Sequence, residues 1–560
     1  MQVTTSDPIY FATKRWDEAR NLLSDAVNDY LESCISLSTI LGRNCPNGRE
    51  IASHIDLALT STHPAMRQKL ARSTSALSQT RNRVASSIGC LPEELLCRIF
   101  FDVVYAPEHT ELSMGTSVRA IYRSLHELLA VCSTWRNIMT SRGIFWRIIP
   151  AIDDPVRNQA IDLSLHRSRS CLLRLAGTTT LDGPPPLFKI IKENASRLSA
   201  LNVQGSFSSQ ITSVVTELLR SGDLGQLCEL SLRCSPPKYS QPSRVSNYIL
   251  EAQSLEKDNF DALINSLSSM RLSGIQIHWE TTSAFSDRLL ELYIDKVGFG
   301  NSESVMLSFL SAVSSASKLR DLKIIDVRAY RIPAETTNLT MRPTVTLPKL
   351  ESLLLQDLHF NVLEFFLLTI SPGSYNSTVV LSSEVFSIIY SDGNSKRVDL
   401  NDVTRLLSVS SADVLFLPRG PTDYKPWLRG AEVRKLLEAM PKLKVLKMHG
   451  WHFYDEFCNN LCPPQTSESQ THSFSYPKLD ILQLTGARIH NHERFKHVLV
   501  TLSPQSMILS GLIRSQGGNW EQITEEDDIA DWLKDGVPGF RCVDLNYDAG
   551  SLRTGLWQLW

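Results

Sequence analysis

The chain has almost no imbalance of charge: 57 lysines and arginines stand against 59 aspartates and glutamates in 560 residues, a formal net charge of −2. That excludes a chain-wide electrostatic hold on nucleic acid or anionic lipid, although it leaves room for a local patch. Long hydrophobic runs are missing too. The greasiest stretch, Phe360 to Ile370, is too short to span a bilayer and carries Glu364. At the N-terminus Asp7, Lys14, Arg15, Asp17 and Glu18 break up the charged-then-apolar order of a secretory signal. The eleven cysteines are odd in number and scattered, without the dense spacing of a disulfide framework. They read as reduced thiols of a cytoplasmic or nuclear protein, where sequons at Asn194, Asn338 and Asn376 carry no glycan.

Catalytic signatures are also lacking. No phosphate-binding Gly-x-x-x-x-Gly-Lys loop, dinucleotide turn, His-Glu-x-x-His helix, nucleophile elbow or Cys-x-x-Cys pair is present. His449, His452, Cys458 and Cys462 have the donor types that zinc accepts, but they sit among Phe453, Tyr454 and Phe457, and buried structural thiols account for them. No metal or cofactor is expected. His490, His492 and His497 surround a helix start and read as solvent-facing. The acidic run Glu525 to Asp528 follows Thr524 in a capping-box-like order that suits a helix dipole and needs no catalytic role.

What is present is the composition of an ordinary folded protein, 42% hydrophobic and 21% charged. At ~150 residues per domain the length suggests roughly three or four domains, unless the chain is a repeat array, which grows by stacking. Residues 1–87 read as a helical region. Trp16, Leu22, Leu23, Val27, Tyr30, Leu31, Cys34 and Ile35 recur at helical spacing. In a second helix Leu70, Leu77 and Val84 lie seven apart, a short heptad expected to pack on a neighbouring helix. Its polar side holds Arg67, Lys69, Arg72, Arg81 and Arg83 without an acid, a solvated face or a docking surface for an acidic partner.

The most specific segment starts Leu91-Pro92-Glu93-Glu94-Leu95, with proline where a first helical turn tolerates it. Leu95, Ile99 and Val103 follow on one face, with Leu96 and Phe100 beside them. After a polar insertion, about 105 to 124, comes a second helix with Leu125, Leu128, Val131-Cys132-Ser133-Thr134-Trp135-Arg136 and Ile138. The tail Ile144-Phe145-Trp146 closes the unit. Two short helices and such a tail barely bury a core, so partner-assisted folding is expected. These residues resemble the F-box in its Leu-Pro-x-Glu-Leu start, its Val-Cys-x-x-Trp-Arg helix and its trailing tryptophan, over residues 88–150; the long insertion after Val104 departs from it. Residues 161–168 and 190–198 resemble the region after the F-box in mushroom-type (basidiomycete) fungal members.

From about residue 195 the chain repeats itself within an expected array of 151–560. Leu-x-x-Leu-x-(Leu/Ile/Val/Met) runs start at Leu198, Leu227, Leu272, Leu289, Leu319, Leu350, Leu443 and Leu479, with weaker ones at Ala412 and Phe540. Helical stretches lie between them: 211–220, 260–267, 305–313, 362–370, 431–440 and 494–502. Strand plus helix at this period is the leucine-rich-repeat pattern, here irregular. The turn position where asparagine or cysteine is usual holds Val297, Val327, Leu358, Trp451 or Ala487, so the turn carbonyls must be satisfied otherwise. Segments 235–247 and 462–475 read as loops interrupting the stack. The fold class is thus α/β: N-terminal helices, a helical F-box, then an irregular leucine-rich-repeat solenoid. A globular α/β domain with a parallel sheet is the competing architecture.

The resemblance implies a non-catalytic substrate receptor of a Skp–cullin–F-box ubiquitin ligase. It would dock a Skp-type adaptor through Leu91, Pro92, Leu95, Ile99, Phe100, Val131, Cys132, Trp135 and Trp146. In a Leu-x-x-Leu-x-Leu strand the residues between the leucines face the concave side. That makes Tyr293, Lys323, Leu354 and Lys447 candidates for capturing a protein substrate. Two other classes stay open: a scaffold without a ligase role, and a nucleic-acid binder through the basic 67–83 helix.

Overall fold

The computed structural model describes residues 8–41, 47–85, 88, 91–106, 112–152, 158–179, 186–222, 224–235, 248–251, 253–280, 285–300, 303–332, 343–419, 426–462, 476–515, 517–545 and 557–559. Of the expected loops 235–247 and 462–475, all but Ser235 and Cys462 lie outside these residues, as does the sequon at Asn338. The chain divides into two compact units, Met1–Leu96 and Cys97–Trp560.

The first unit contains α1 (Pro8–Ile40), then α2 (Gly48–Leu57), a π-helical turn (Ala58–Thr62) and α3 (His63–Ala85). The Tyr30 hydroxyl meets His63 Nε2 at 3.2 Å, tying α1 to α3. The heptad residues expected to pack on a neighbouring helix do not become buried. Leu70, Leu77 and Val84 are exposed, as are Trp16, Leu23 and Leu31 of α1. Among the described residues no helix is long and apolar enough to cross a membrane.

The second unit begins with the rest of α4 (Glu93–Val104), α5 (Met114–Val131), α6 (Ser133–Ser141) and a short 3-10 turn (Gly143–Trp146). The insertion expected at 105–124 is helical from Met114, and the second helix breaks at Cys132, whose φ/ψ of −158/169° is extended. Three helices therefore form where two were expected. Met114, Val118, Ile121 and Leu125 of α5 supply the added core.

Beyond Trp146 the leucine runs become parallel strands laid in chain order in one sixteen-stranded sheet. They are β1 (Ile148–Ala151), β2 (Leu173–Thr179), β3 (Leu198–Gly205), β4 (Glu229–Cys234), β5 (Ser269–Ser273), β6 (Glu291–Asp295), β7 (Asp321–Ile325), β8 (Ser352–Gln356) and β9 (Asn376–Val380). A separate hairpin, β10 (Ser387–Ile389) and β11 (Ser395–Arg397), precedes β12 (Val414–Pro418). The sheet continues through β13 (Val445–His449), β14 (His452–Phe453), β15 (Ile481–Ile489), β16 (Ser506–Arg514), β17 (Trp520–Gln522) and β18 (Gly539–Cys542), with β17 antiparallel to β16. Each strand pairs almost entirely with its neighbours in sequence, which is the topology of a repeat solenoid and not of a doubly wound sheet.

The intervening helices, such as Ser208–Arg220, Glu303–Ser314 and Phe360–Thr369, pack on one side of the sheet. Their apolar faces meet the strand leucines in one continuous core. The pattern is period two along the strand: Leu292 and Ile294 point into that core, while Glu291 and Tyr293 are only half buried on the open face. One strand was misplaced by the sequence reading. Leu267, Met270 and Leu272 occupy the repeat positions of β5, five residues before the run taken from Leu272. Strands β1, β2, β9 and β16 lack the triple-leucine run that marks the others, and helix Leu400–Val409 was not expected from the sequence.

The turn after each strand shows what replaces an asparagine ladder. Lys296, Asp326 and Asp357 take left-handed φ of 55, 44 and 51°, as Gly274, Gly450 and Gly486 do at 65, 73 and 59°. The amides of Lys296, Asp326 and Gly450 then donate to Ile325, Gln356 and Thr485 carbonyls on the next strand, at 3.0, 3.0 and 2.8 Å. Val297, Val327, Leu358, Trp451 and Ala487 consequently turn into the core. Trp451 also donates its indole N–H to Leu417 O at 2.8 Å, the service an asparagine would otherwise perform.

Candidate functional site

Two surfaces gather the residues singled out by sequence. The first lies on helices α4 to α6. In the second unit Ile99 and Val103 of α4 stand a four-residue step apart and are each 44% exposed, and Val131 at the end of α5 is 56% exposed; in the first unit Leu95 is 52% exposed. Leu91 and Cys132 are half-exposed and Pro92 is exposed.

Two members of the set do not belong to a surface. Phe100 and Trp146 are each 1% exposed, so neither side chain is available to a partner. Phe100 packs on Trp135 with ring centroids 4.6 Å apart, which leaves Trp135 half-buried between core and solvent. Trp146 donates its indole N–H to Met139 O at 2.8 Å and is covered by the Arg167 guanidinium, 4.4 Å from its ring centroid. Tyr122 ties the same region to β1 through Ile148 O at 2.8 Å. Trp146 thus joins α6 to Arg167 from inside, and Tyr122 makes the tie to the first strand.

The second surface is the open face of the sheet. Register places Tyr293, Lys323 and Leu354 side by side in one row across β6, β7 and β8. Lys447 stands in the next row, between Phe416 and Gln483. The four residues therefore share the face but not one line. All are half-buried. Lys323 is already engaged, its ammonium 3.6 Å from Glu291, which Arg271 also reaches at 3.3 Å. Burial pushes the Glu291 carboxyl up, but Arg271 and Lys323, with hydrogen bonds from Arg271 and Ser269, outweigh it and hold the group below the usual carboxylate range. Burial lowers the Lys447 ammonium and raises the Tyr293 phenol. Further along, Arg174 pairs with Glu229. Charges of both signs interlock along this face, so no single sign of charge runs along it.

What sequence reasoning missed sits on the same face. The C-terminal residues Trp557, Gln558 and Leu559 lie over β3 to β6. Asn202 of β3 accepts the Trp557 indole N–H at 2.6 Å and donates to Gln558 O at 3.0 Å and to Leu559 O. Tyr293 meets the Trp557 ring edge-on at 6.1 Å, so a residue assigned to substrate capture is partly occupied by the chain itself. The signal was the alternation Leu556, Trp557, Gln558, Leu559, an apolar tail beyond the last repeat.

The histidine–cysteine group resolves into separate places. Cys458 and Cys462 are buried, and burial first, then Cys462 and Asp455, push the Cys458 thiol up to about 12. His449 Nδ1 lies 2.9 Å from Thr485 Oγ1, and His497 Nδ1 lies 3.1 Å from Cys462 Sγ. Among the described residues no group of three or more His, Cys, Asp or Glu side chains is arranged to hold a metal. Contrary to expectation His490 does not simply face solvent; it is half-buried and meets Trp520 edge-on at 4.9 Å. In the acidic run Asp527 is the N-cap, and its carboxylate accepts from Thr524 N at 2.6 Å and Thr524 Oγ1 at 3.1 Å.

No protein-family model matches the chain, and no curated protein matches it. Among solved structures it is similar to the Rad7 and Elc1 complex of yeast, at 12% identity and a TM-score of 0.24, over 76% of this chain and 97% of that one. A score this low carries no argument about partners or activity.

Proposed function

We propose that the protein is a non-catalytic substrate receptor of a Skp–cullin–F-box type ubiquitin ligase, working in the cytoplasm, the nucleus or both. Its F-box-like helices dock a Skp-type adaptor, and the open face of its sheet holds a protein substrate. The observation that carries this reading is the exposure of Ile99, Val103 and Val131 above a core already filled by Phe100, Val118 and Ile121. Aliphatic side chains left in solvent over a finished core offer apolar surface that a partner would cover. The receptor supplies position, raising the local concentration of substrate at a catalyst carried by other subunits.

The test is co-purification of the adaptor with Ile99→Asp combined with Val131→Asp. Both positions are exposed, so the variant should keep its melting temperature while adaptor recovery disappears. The loss of one buried interface anchor costs about 2 kcal/mol or more, and two charges cost more than that. Undiminished adaptor recovery removes the reading. Affinity purification with and without proteasome inhibition would then identify the substrate.

A further inference from the structure

Among the described residues, the side-chain amide of Asn202 in β3 hydrogen-bonds the tail. Its oxygen takes the Trp557 indole N–H at 2.6 Å, and its nitrogen donates to two successive main-chain carbonyls, Gln558 O at 3.0 Å and Leu559 O. Donating to two adjacent carbonyls fixes the main chain of the segment, while accepting the indole selects a tryptophan. The surroundings suit that task. Register sets Pro150, Ala176, Asn202 and Ser231 side by side on β1 to β4, a row of small residues that leaves a trough. Arg271 and Tyr293, the next two members of the row, raise a wall of long side chains at its end. Tyr293 and the Arg233 guanidinium, 5.9 Å from the ring centroid, flank Trp557. From the other side Met114 N, at the start of α5, donates to Trp557 O at 2.7 Å.

Seated there, Trp557 and Leu559 are 5 and 0% exposed, yet neither belongs to the core between sheet and helices. The described residues of the tail, 557–559, add no strand to the sheet. It is held as a peptide ligand would be. We propose that this trough is a docking site for a segment of the pattern tryptophan–any residue–leucine, and that the chain's own tail fills it in competition with a protein partner offering that pattern. The proposal rests on the open face being the capture surface and is independent of the adaptor. A tethered occupant acts at an effective concentration on the order of millimolar, so a partner must present its segment at high local concentration or bind more tightly than the tail.

The experiment uses purified chain lacking residues 556–560 and a fluorescent peptide with the sequence of residues 553–560, followed by anisotropy. The peptide should bind the shortened protein saturably and the full chain at least roughly tenfold more weakly. Binding should vanish when Asn202→Asp is added, because a carboxylate offers no N–H to the carbonyls, and when the peptide carries Trp557→Ala. Equal binding to both chains, or binding to neither, overturns the proposal. Should the shortened chain lose its cooperative melt, the full-length Trp557→Ala, Leu559→Ala variant takes its place; a variant that melts normally and fails to bind peptide shows the tail to be a structural strap. Loss of adaptor recovery would leave these measurements untouched, so this proposal and the ligase reading fail separately.

Discussion

Asp295 and Glu291 lie on one strand and should respond to pH with opposite signs. Burial raises the Asp295 carboxyl, which the Ser273 hydroxyl at 2.7 Å and Lys296 only partly oppose. A raised native pKa means that the folded state binds more protons, so stability falls as pH rises from the usual carboxylate range through the native value. Asp295→Asn keeps an acceptor for Ser273 and should raise the melting temperature at pH 7, an advantage that fades near pH ~3. Glu291 is held low, so its contribution is present above the usual carboxylate range and is lost as pH falls through the native value. Glu291→Gln should therefore lower the melting temperature at pH 7 and make little difference in acid. Melting both variants across pH checks the pair, and parallel curves would contradict it. Trp451 offers a simpler test. Trp451→Phe retains most of the packing but leaves Leu417 O without its indole donor. The expected cost is about 1–3 kcal/mol by chemical denaturation.

At the scale of elements, the repeat turn and the close strand pair β15–β16 explain where the array tolerates no change. A Cβ on Gly511 of β16 would lie 2.2 Å from Ala487 O, beside the register shift between Leu484 and Ala487. Gly511→Ala should destabilise by about 1–3 kcal/mol, as overpacking does, while Gly300→Ala meets open space and pays only for its left-handed φ of 73°. Comparing the two variants by denaturant unfolding separates steric conflict from backbone strain. Helices α4 to α6 obey a different logic. Their inner faces are filled by Phe100, Val104 and Ile121, and their outer faces carry Ile99, Val103 and Val131. Charge on the outer face should change partner binding and not folding.

For the whole molecule, the division at Leu96 and Cys97 separates a helical unit without buried residues in α1 and α2 from one with a continuous core. Helices of 33 and 10 residues that bury nothing gain little beyond backbone hydrogen bonding, and isolated helices are marginal in water. A chain beginning at residue 88 should melt at the same temperature as the full chain by calorimetry. The isolated segment 8–85 should show partial helicity that falls steadily on heating, without a cooperative transition. A sharp transition in that segment, or a large drop in the shortened chain, would contradict this view.

The alternation of leucines every second or third residue determined much of the architecture unaided. At Leu289, Leu319, Leu350, Leu443 and Leu479 the run marks a strand because only period-two burial on a sheet places those leucines inward. The helices between them were legible for the same reason at period 3.6. The sequence did not reveal the strands whose inward residues are serine, valine or methionine, such as β9, or the helical start of α5, since propensity there yields to packing. The site was half legible. Ile99 and Val131 could be found by periodicity, but Phe100 and Trp146 carry the same motif and are core, because which face of a short helix is covered depends on α5 and β1 folding across it. Tyr293 and Lys323 were placed on the open face by alternation, whereas their engagement with Trp557 and Glu291 was not visible. Local patterning fixes which way a side chain points relative to its own backbone. Only the tertiary structure decides what meets it there, because Asn202 and Trp557 are joined across 355 residues by a contact that no local period encodes.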